Sequence, residues 1–183
     1  PDFVTPARPG IDIIPAGMGL IYADVDAIKD GRCHLNAIED LRGTIAEDAE
    51  SAGTEAWART YDYILIDCPP AFSAASTAAL TAADEVIIPI RLDAFSTAGV
   101  AALTTQVANM RRINDRLRVA GVLATQYQRT EEERLAYTLL AENSGLPVYQ
   151  CRIRQSPRVA AATFAGESLL TFSPHCGAAK DYR

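Results

Sequence analysis

Three short runs, YILI at 63–66, VIIPI at 86–90 and VAGVLAT at 119–125, are apolar at nearly every position. A strand with one wet face alternates apolar and polar residues, whereas an unbroken apolar run fits a strand covered on both faces. Each run is followed by a stretch with helical character, and the order repeats along the chain. Strands that alternate with helices and need cover on both sides predict an α/β fold, a mainly parallel sheet flanked by helices. No repeat or low-complexity linker interrupts the pattern, and 183 residues suit a single domain, 1–183, with a sizeable core.

The individual elements follow from periodicity and punctuation. Ile11–Pro15 is expected to be a short buried strand closed by the turn-rich AGMG. Leu35, Ile38, Leu41, Ile45 and Ala49 recur at helical steps. Tyr63–Ile66 is the next strand, and Ser73–Ala83 an alanine-rich helix with serine at its cap. After the strand Val86–Ile90, the stripe Val100, Leu103, Val107, Met110 marks a helix. Following Val119–Thr125, Thr130-Glu-Glu-Glu133 has capping-box spacing and opens a helix through Leu135, Leu139 and Leu140, stopped by Gly145 and Pro147. Val148–Ile153 is a last strand and Arg158–Phe164 a short helix.

Charge is uneven. Residues 1–92 hold 6 Lys/Arg against 15 Asp/Glu, and residues 93–183 hold 11 against 8. Arginines gather at Arg111, Arg112, Arg116 and Arg118, and again at Arg152, Arg154 and Arg158. Such groups either bind phosphate backbones or form local ion pairs on a solvated surface. No apolar run reaches the roughly 18 residues of a membrane span. The four cysteines are scattered without a CxxC pair, as in reduced thiols of a cytosol. Cys33–His34 and His175–Cys176 lack the spacing of a zinc site. Cys68 is expected to be a small core residue, and Trp57 to pack a helix end against the sheet. These features predict a cytoplasmic protein.

Asp67 ends the run YILI, where open α/β sheets bind their ligands. A carboxylate there either holds a Mg²⁺ through its water shell or merely caps the next turn. Pro69 and Pro70 then restrict the direction in which the chain leaves.

The block YDYILIDCPPAFSAASTAALTAADEVIIPIRLDAFSTAGVAAL resembles the ParA family of partition ATPases, relatives of MinD and of nitrogenase iron protein. Tyr61, Asp62, Asp67, Pro69, Pro70, Ala83, Asp84, Pro89, Phe95 and Gly99 match that family's pattern. IDIIPAG, GVLATQYQRT, IRQSPRVAAATFAGESLLTFSP and the ending AAKDYR extend the likeness over nearly the whole chain. The resemblance implies a P-loop NTPase-like fold, Mg-ATP as cofactor, ATP-dependent homodimers, nonspecific DNA binding and a ParB-like centromere-binding partner. It also implies association with the nucleoid.

The family's glycine-rich KGGxGK[ST] loop is not found in this sequence. Its only lysines are Lys29, in DAIKDG, and Lys180, in AAKDY. Set against the family's layout, the chain is the C-terminal two thirds of the domain, without its first strands. An upstream portion, a natural truncation or a strand swapped in from another chain would each account for this, the first being preferred. Because the missing strand belongs beside the one ending at Asp67, apolar edges are expected to be left open.

By the same resemblance, Asp67 is the catalytic, metal-side carboxylate, and Pro69 and Pro70 begin the second switch. Ile153, Arg154 and Gln155 pass near the adenine, although many members carry proline where this chain has Arg154, and glutamate where it has Ala161. Arg152, Arg154 and Arg158 are the candidates for DNA phosphates, with salt bridges to neighbouring carboxylates as the alternative. The chain alone is expected to be inactive. Two other readings stay open: a non-catalytic ParA-like module that dimerises or docks a partner, and a MinD-type positioning ATPase. The ending AAKDYR, which is no basic amphipathic helix, speaks against the second and against a membrane partner.

Overall fold

The structure, a computed structural model, describes residues 5–17, 22, 61–69 and 73–183, and at 94–98, 100, 101 and 103 it describes the backbone alone. The helix expected over Leu35–Ala49, together with Cys33, His34 and Trp57, lies outside the described residues. The chain divides into two compact units, Pro1–Ala82 and Ala83–Arg183.

In the first unit, β1 (Thr5–Arg8) and β2 (Ile11–Ile13) form an antiparallel hairpin with Thr5 opposite Ile13. Pro9 and Gly10 make its turn, and Gly10 takes the left-handed φ of +77° that a turn of this kind gives to glycine. The strand expected at Ile11–Pro15 is therefore shorter, and it is exposed, not buried. The Pro-Gly pair was its legible cue. A larger correction concerns 61–69, which forms no ladder with any described strand. Tyr63–Ile66 is exposed along its length, with Leu65 at 91%. An apolar run becomes a strand only where neighbours take its N–H and C=O groups, and β1 and β2 pair with each other.

Helix α1 (Ala74–Ala82) confirms its expected cap. The Ser76 amide donates to Ser73 Oγ at 3.2 Å, and the Ser73 amide donates to Ser76 Oγ at 2.8 Å. This reciprocal pair satisfies two backbone donors at the helix start.

The second unit is built on a three-stranded parallel sheet in the order β3 (Glu85–Ile90), β4 (Arg118–Tyr127), β5 (Val148–Arg154). Helix α2 (Ala94–Met110) connects β3 to β4, and α3 (Glu131–Asn143) connects β4 to β5. Successive crossovers of one hand put such helices on one face of the sheet, and α2 and α3 touch each other accordingly. Three short helices follow: α4 (Pro157–Ala165), α5 (Leu169–Phe172) and α6 (Gly177–Asp181), the last packed on β5.

The core joins Ile88, Ile90 and Leu92 to Val122, Ala124, Tyr127 and Leu140. Val122 is fully buried, a state that contributes about 1.5–3 kcal/mol for a side chain of this kind. Central β4 is covered on both faces, as its apolar run predicts. β3 is not: Ile88 and Ile90 are buried while Ile87 is 54% exposed. As an end strand of the described sheet it alternates, so VIIPI is a half-covered strand.

On the far face Gly121 lies under Tyr149. A Cβ at Gly121 would stand 2.6 Å from a carbon of that ring. Buried Asn114 donates from Nδ2 to Ala83 O at 2.7 Å and accepts from the Arg116 amide at 3.2 Å, tying the turn after α2 to the entry of β3.

α3 starts where the sequence predicts, with Thr130 Oγ1 accepting from the Glu133 amide at 3.2 Å. The Glu133 carboxylate reaches past the cap to accept from the Gln128 amide at 2.6 Å. Its inward face differs from the expected leucine stripe. Leu140 is buried with Ala136 and Tyr137 beside it, whereas Leu135 is 61% exposed and Leu139 is exposed too. The Tyr137 hydroxyl donates to Tyr149 O at 2.9 Å, and this bond accompanies the seating of Ala136 and Tyr137 toward the sheet.

Candidate nucleotide site

The carboxyl ends of β4 and β5 are joined by a hydrogen bond from the Gln155 amide to Tyr127 O at 3.0 Å. Around this bond lies an open cleft of about 390 Å³, lined by Tyr127, Gln128, Arg129, Arg154 and Gln155. Its position is the one at which parallel sheets present ligand sites. Two residues that are not glycine adopt left-handed backbones beside it, Gln126 (φ 55°) and Arg129 (φ 64°). Such conformations cost on the order of 1–3 kcal/mol each and cluster at functional sites.

Three residues expected near a base lie here or beneath. Ile153 is buried in β5, while Arg154 and Gln155 line the cleft. The Arg154 guanidinium is committed elsewhere. Its Nε donates to Asp181 Oδ2 at 2.7 Å, and its Nη2 donates to Asp181 Oδ1 at 2.6 Å and to Gly177 O at 3.1 Å. The Arg154 amide also donates to Asp181 Oδ2 at 3.0 Å. These bonds hold the Asp181 carboxyl below the usual carboxylate range, chiefly through the Arg154 side chain, with Arg129 adding its charge. Gly177 makes room for the pair, since a Cβ there would come within 3.0 Å of Arg154 Cζ.

The other two arginines of the expected DNA face part company. The Arg152 guanidinium lies 4.4 Å from the Tyr137 ring centre and 5.0 Å from that of Tyr127, a cation–π stack on both rings. Arg158 is exposed in the first turn of α4 and forms no ion pair among the described residues. The second arginine group is largely occupied as well. Arg111 Nε donates to Leu117 O at 2.9 Å, and Arg118 stands 3.5 Å from Glu85. Arg116 and Arg118 share a depression of about 460 Å³ with Asp84 and Asp115, near the start of β3 and β4, at the opposite end of the strands from the cleft. Carboxylates interleave these arginines, and the local ion-pair reading fits this surface.

In the first unit, Asp67, Cys68 and Pro69 are exposed, and Pro70 lies outside the described residues. The Tyr61 hydroxyl donates to the Asp12 carboxylate, fastening the start of this segment to β2. The Cys68 thiol is pushed up by crowding around its sulfur and by the neighbouring Asp67 carboxylate. It is exposed, contrary to the core role expected for it. Among the described residues no three His, Cys, Asp or Glu side chains converge. The cleft by itself offers the amide side chains of Gln128 and Gln155 to a ring, and Asp67 by itself offers an exposed carboxylate. For phosphates the sequence holds no glycine-rich lysine loop.

Sequence reasoning passed over Tyr127, Gln128, Arg129, Gly177 and Asp181. The small-residue run GAAKD, with Ala178 and Ala179 fully buried, was the cue that the last helix docks closely.

Among relatives, the chromosome partitioning protein ParA of Caulobacter vibrioides (strain NA1000 / CB15N) is 29% identical over 95% of this chain and 62% of its own length. The chromosome-partitioning ATPase Soj of Thermus thermophilus is 33% identical over 84% of this chain and 64% of its own. The chain thus spans less than two thirds of either relative. Cobyrinic acid a,c-diamide synthase of Mycobacterium smegmatis, solved with a bound ATP analogue and magnesium, superposes with a TM-score of 0.67 at 25% identity, over 85% of this chain and 57% of that one. A family model described as an AAA domain matches residues 4–119, from the hairpin to the start of β4. With that match and these relatives, the chain belongs to the AAA-domain family, in its ParA/Soj line of partition ATPases.

Proposed function

We propose that this chain is the larger part of a ParA-type partition ATPase, with an ATP site at the carboxyl ends of its strands. The cleft at the ends of β4 and β5 carries this reading, because it lies where the family resemblance puts the base. Asp67 is the metal-side carboxylate, holding Mg²⁺ through water, and Pro69 and Pro70 open the switch behind it. Bound ATP would supply the phosphoryl group and the drive for dimerisation. This chain's own residues hold the base with Tyr127, Gln128 and Gln155, beside an Arg154 tied to Asp181, and leave the phosphates to a glycine-rich loop outside it. In that state a homodimer binds nonspecific DNA through phosphates, with exposed Arg158 as the available cation, and a ParB-like centromere-binding partner stimulates release. The setting is the cytoplasm and its nucleoid. No described helix is long and apolar enough to cross a membrane.

Calorimetry tests this directly. The 183-residue chain should show no micromolar affinity for Mg-ATP, and a chain extended upstream to include a glycine-rich lysine loop should acquire it. Micromolar binding by the chain alone would overturn the incomplete site. The absence of the lysine loop from this sequence favours a second reading, a non-catalytic module that only dimerises or docks. A coding sequence upstream of Pro1 without that loop would establish it over the ATPase.

A further inference from the structure

Arg154 stands in the cleft wall, yet among the described residues every hydrogen bond it donates runs to α6. Asp181 receives its amide and both edges of its guanidinium, and Gly177 lets that guanidinium lie against the backbone of α6. A bidentate arginine–carboxylate pair fixes orientation as well as distance. The next residue along is Gln155, whose amide closes the bond to Tyr127 that joins the two strand ends. Docking of α6 and the shape of the cleft therefore share one fastening.

We propose that Asp181 is a positioning and specificity-determining residue for the cleft: it pins Arg154 against α6, so that the wall offers amides to an uncharged ring instead of a second guanidinium, beside Arg129, to an anion. This rests on the reading of the cleft as the base end of a nucleotide site. With Asp181 in place, Arg154 is neutralised and turned aside, which leaves Gln128 and Gln155 to pair with ring edges and Arg129 as a single cation in the lining. Without it, Arg154 and Arg129 present two cations to the same cleft, a phosphate-binding arrangement. Docking and cleft shape are also linked reciprocally, since one pair serves both.

The full 183-residue chain suffices for the test, by amide hydrogen exchange and by chemical shifts on adding millimolar adenosine or inorganic phosphate. In the unaltered chain adenosine should shift residues 127–129 and 154–155 while phosphate does not. Asp181→Asn should speed exchange of the Gln155 amide by about tenfold, along with the α6 amides, and should let phosphate shift the same residues. Asp181→Glu, which keeps the charge, should restore most of the protection and serves as the readout if the asparagine variant does not fold. A helix staple with no bearing on the cleft would loosen α6 alone. Unchanged Gln155 exchange with an unchanged response to phosphate would overturn the proposal. If adenosine shifts nothing in the unaltered chain while Asp181→Asn still loosens Gln155 and admits phosphate, the base-end reading fails and the positioning role stands.

Discussion

Cys68 is an exposed residue whose thiol is raised first by desolvation at its sulfur and then by the charge of the residue before it. Alkylation proceeds through the thiolate, and both crowding at the sulfur and the charge of Asp67 disfavour that form. Because the folded thiol is raised above its ordinary value, its reaction with iodoacetamide should begin at higher pH than that of an unperturbed thiol. Asp67→Asn should move the onset down and quicken alkylation near neutrality, measured residue by residue by mass spectrometry. An onset unchanged by Asp67→Asn would show that the carboxylate does not act on the sulfur. The experiment bears on function, since it reports how near a negative charge stands to a spot proposed for the metal.

The elements divide into those whose sequence carried their whole environment and those that depended on neighbours. α1, α3 and α4 begin at Ser73, Thr130 and Ser156 because caps are local: a side-chain oxygen, a backbone amide two or three residues on, and nothing else. β4 was legible as doubly covered because it is central. VIIPI has the same composition, yet Ile87 is exposed, for burial of a strand face belongs to whatever packs on it. YILI shows the limit more sharply, since no composition makes a ladder without a partner strand. In the site, Arg154 and Gln155 could be placed by resemblance, while Asp181 lies 27 residues beyond its partner and had no local cue. Gly121 offers the direct test at this scale. Gly121→Ala should cost about 1–3 kcal/mol in denaturant unfolding, because the new methyl meets the Tyr149 ring. In a Tyr149→Ala background most of that penalty should vanish. An equal loss in both backgrounds would place its origin in the strand backbone instead.

At the scale of the whole molecule, each unit carries apolar strand-like surface without a described partner strand on it: Tyr63–Ile66 in the first and the Ile87 side of β3 in the second. Unpaired apolar edges recruit other chains, and a lysine placed on an edge suppresses this. Ile87→Lys and Leu65→Lys should each raise the concentration at which light scattering first detects aggregates. Leu135→Lys, on an exposed helix face, should do so much less. Equal benefit from all three would trace aggregation to general apolar exposure and clear the edges of blame.

The order β3, β4, β5 in space is also their order along the chain, each joined to the next by a single helix. A ribosome releasing this chain therefore delivers every strand of the second unit directly after the one it must pair with, and no earlier strand has to wait for a distant mate. Contacts of short sequence separation form quickly. The carboxyl ends of β4 and β5, which make the cleft, come together only when β5 and then the last helix emerge, so the cleft is the final part of this sheet to be completed in the cell.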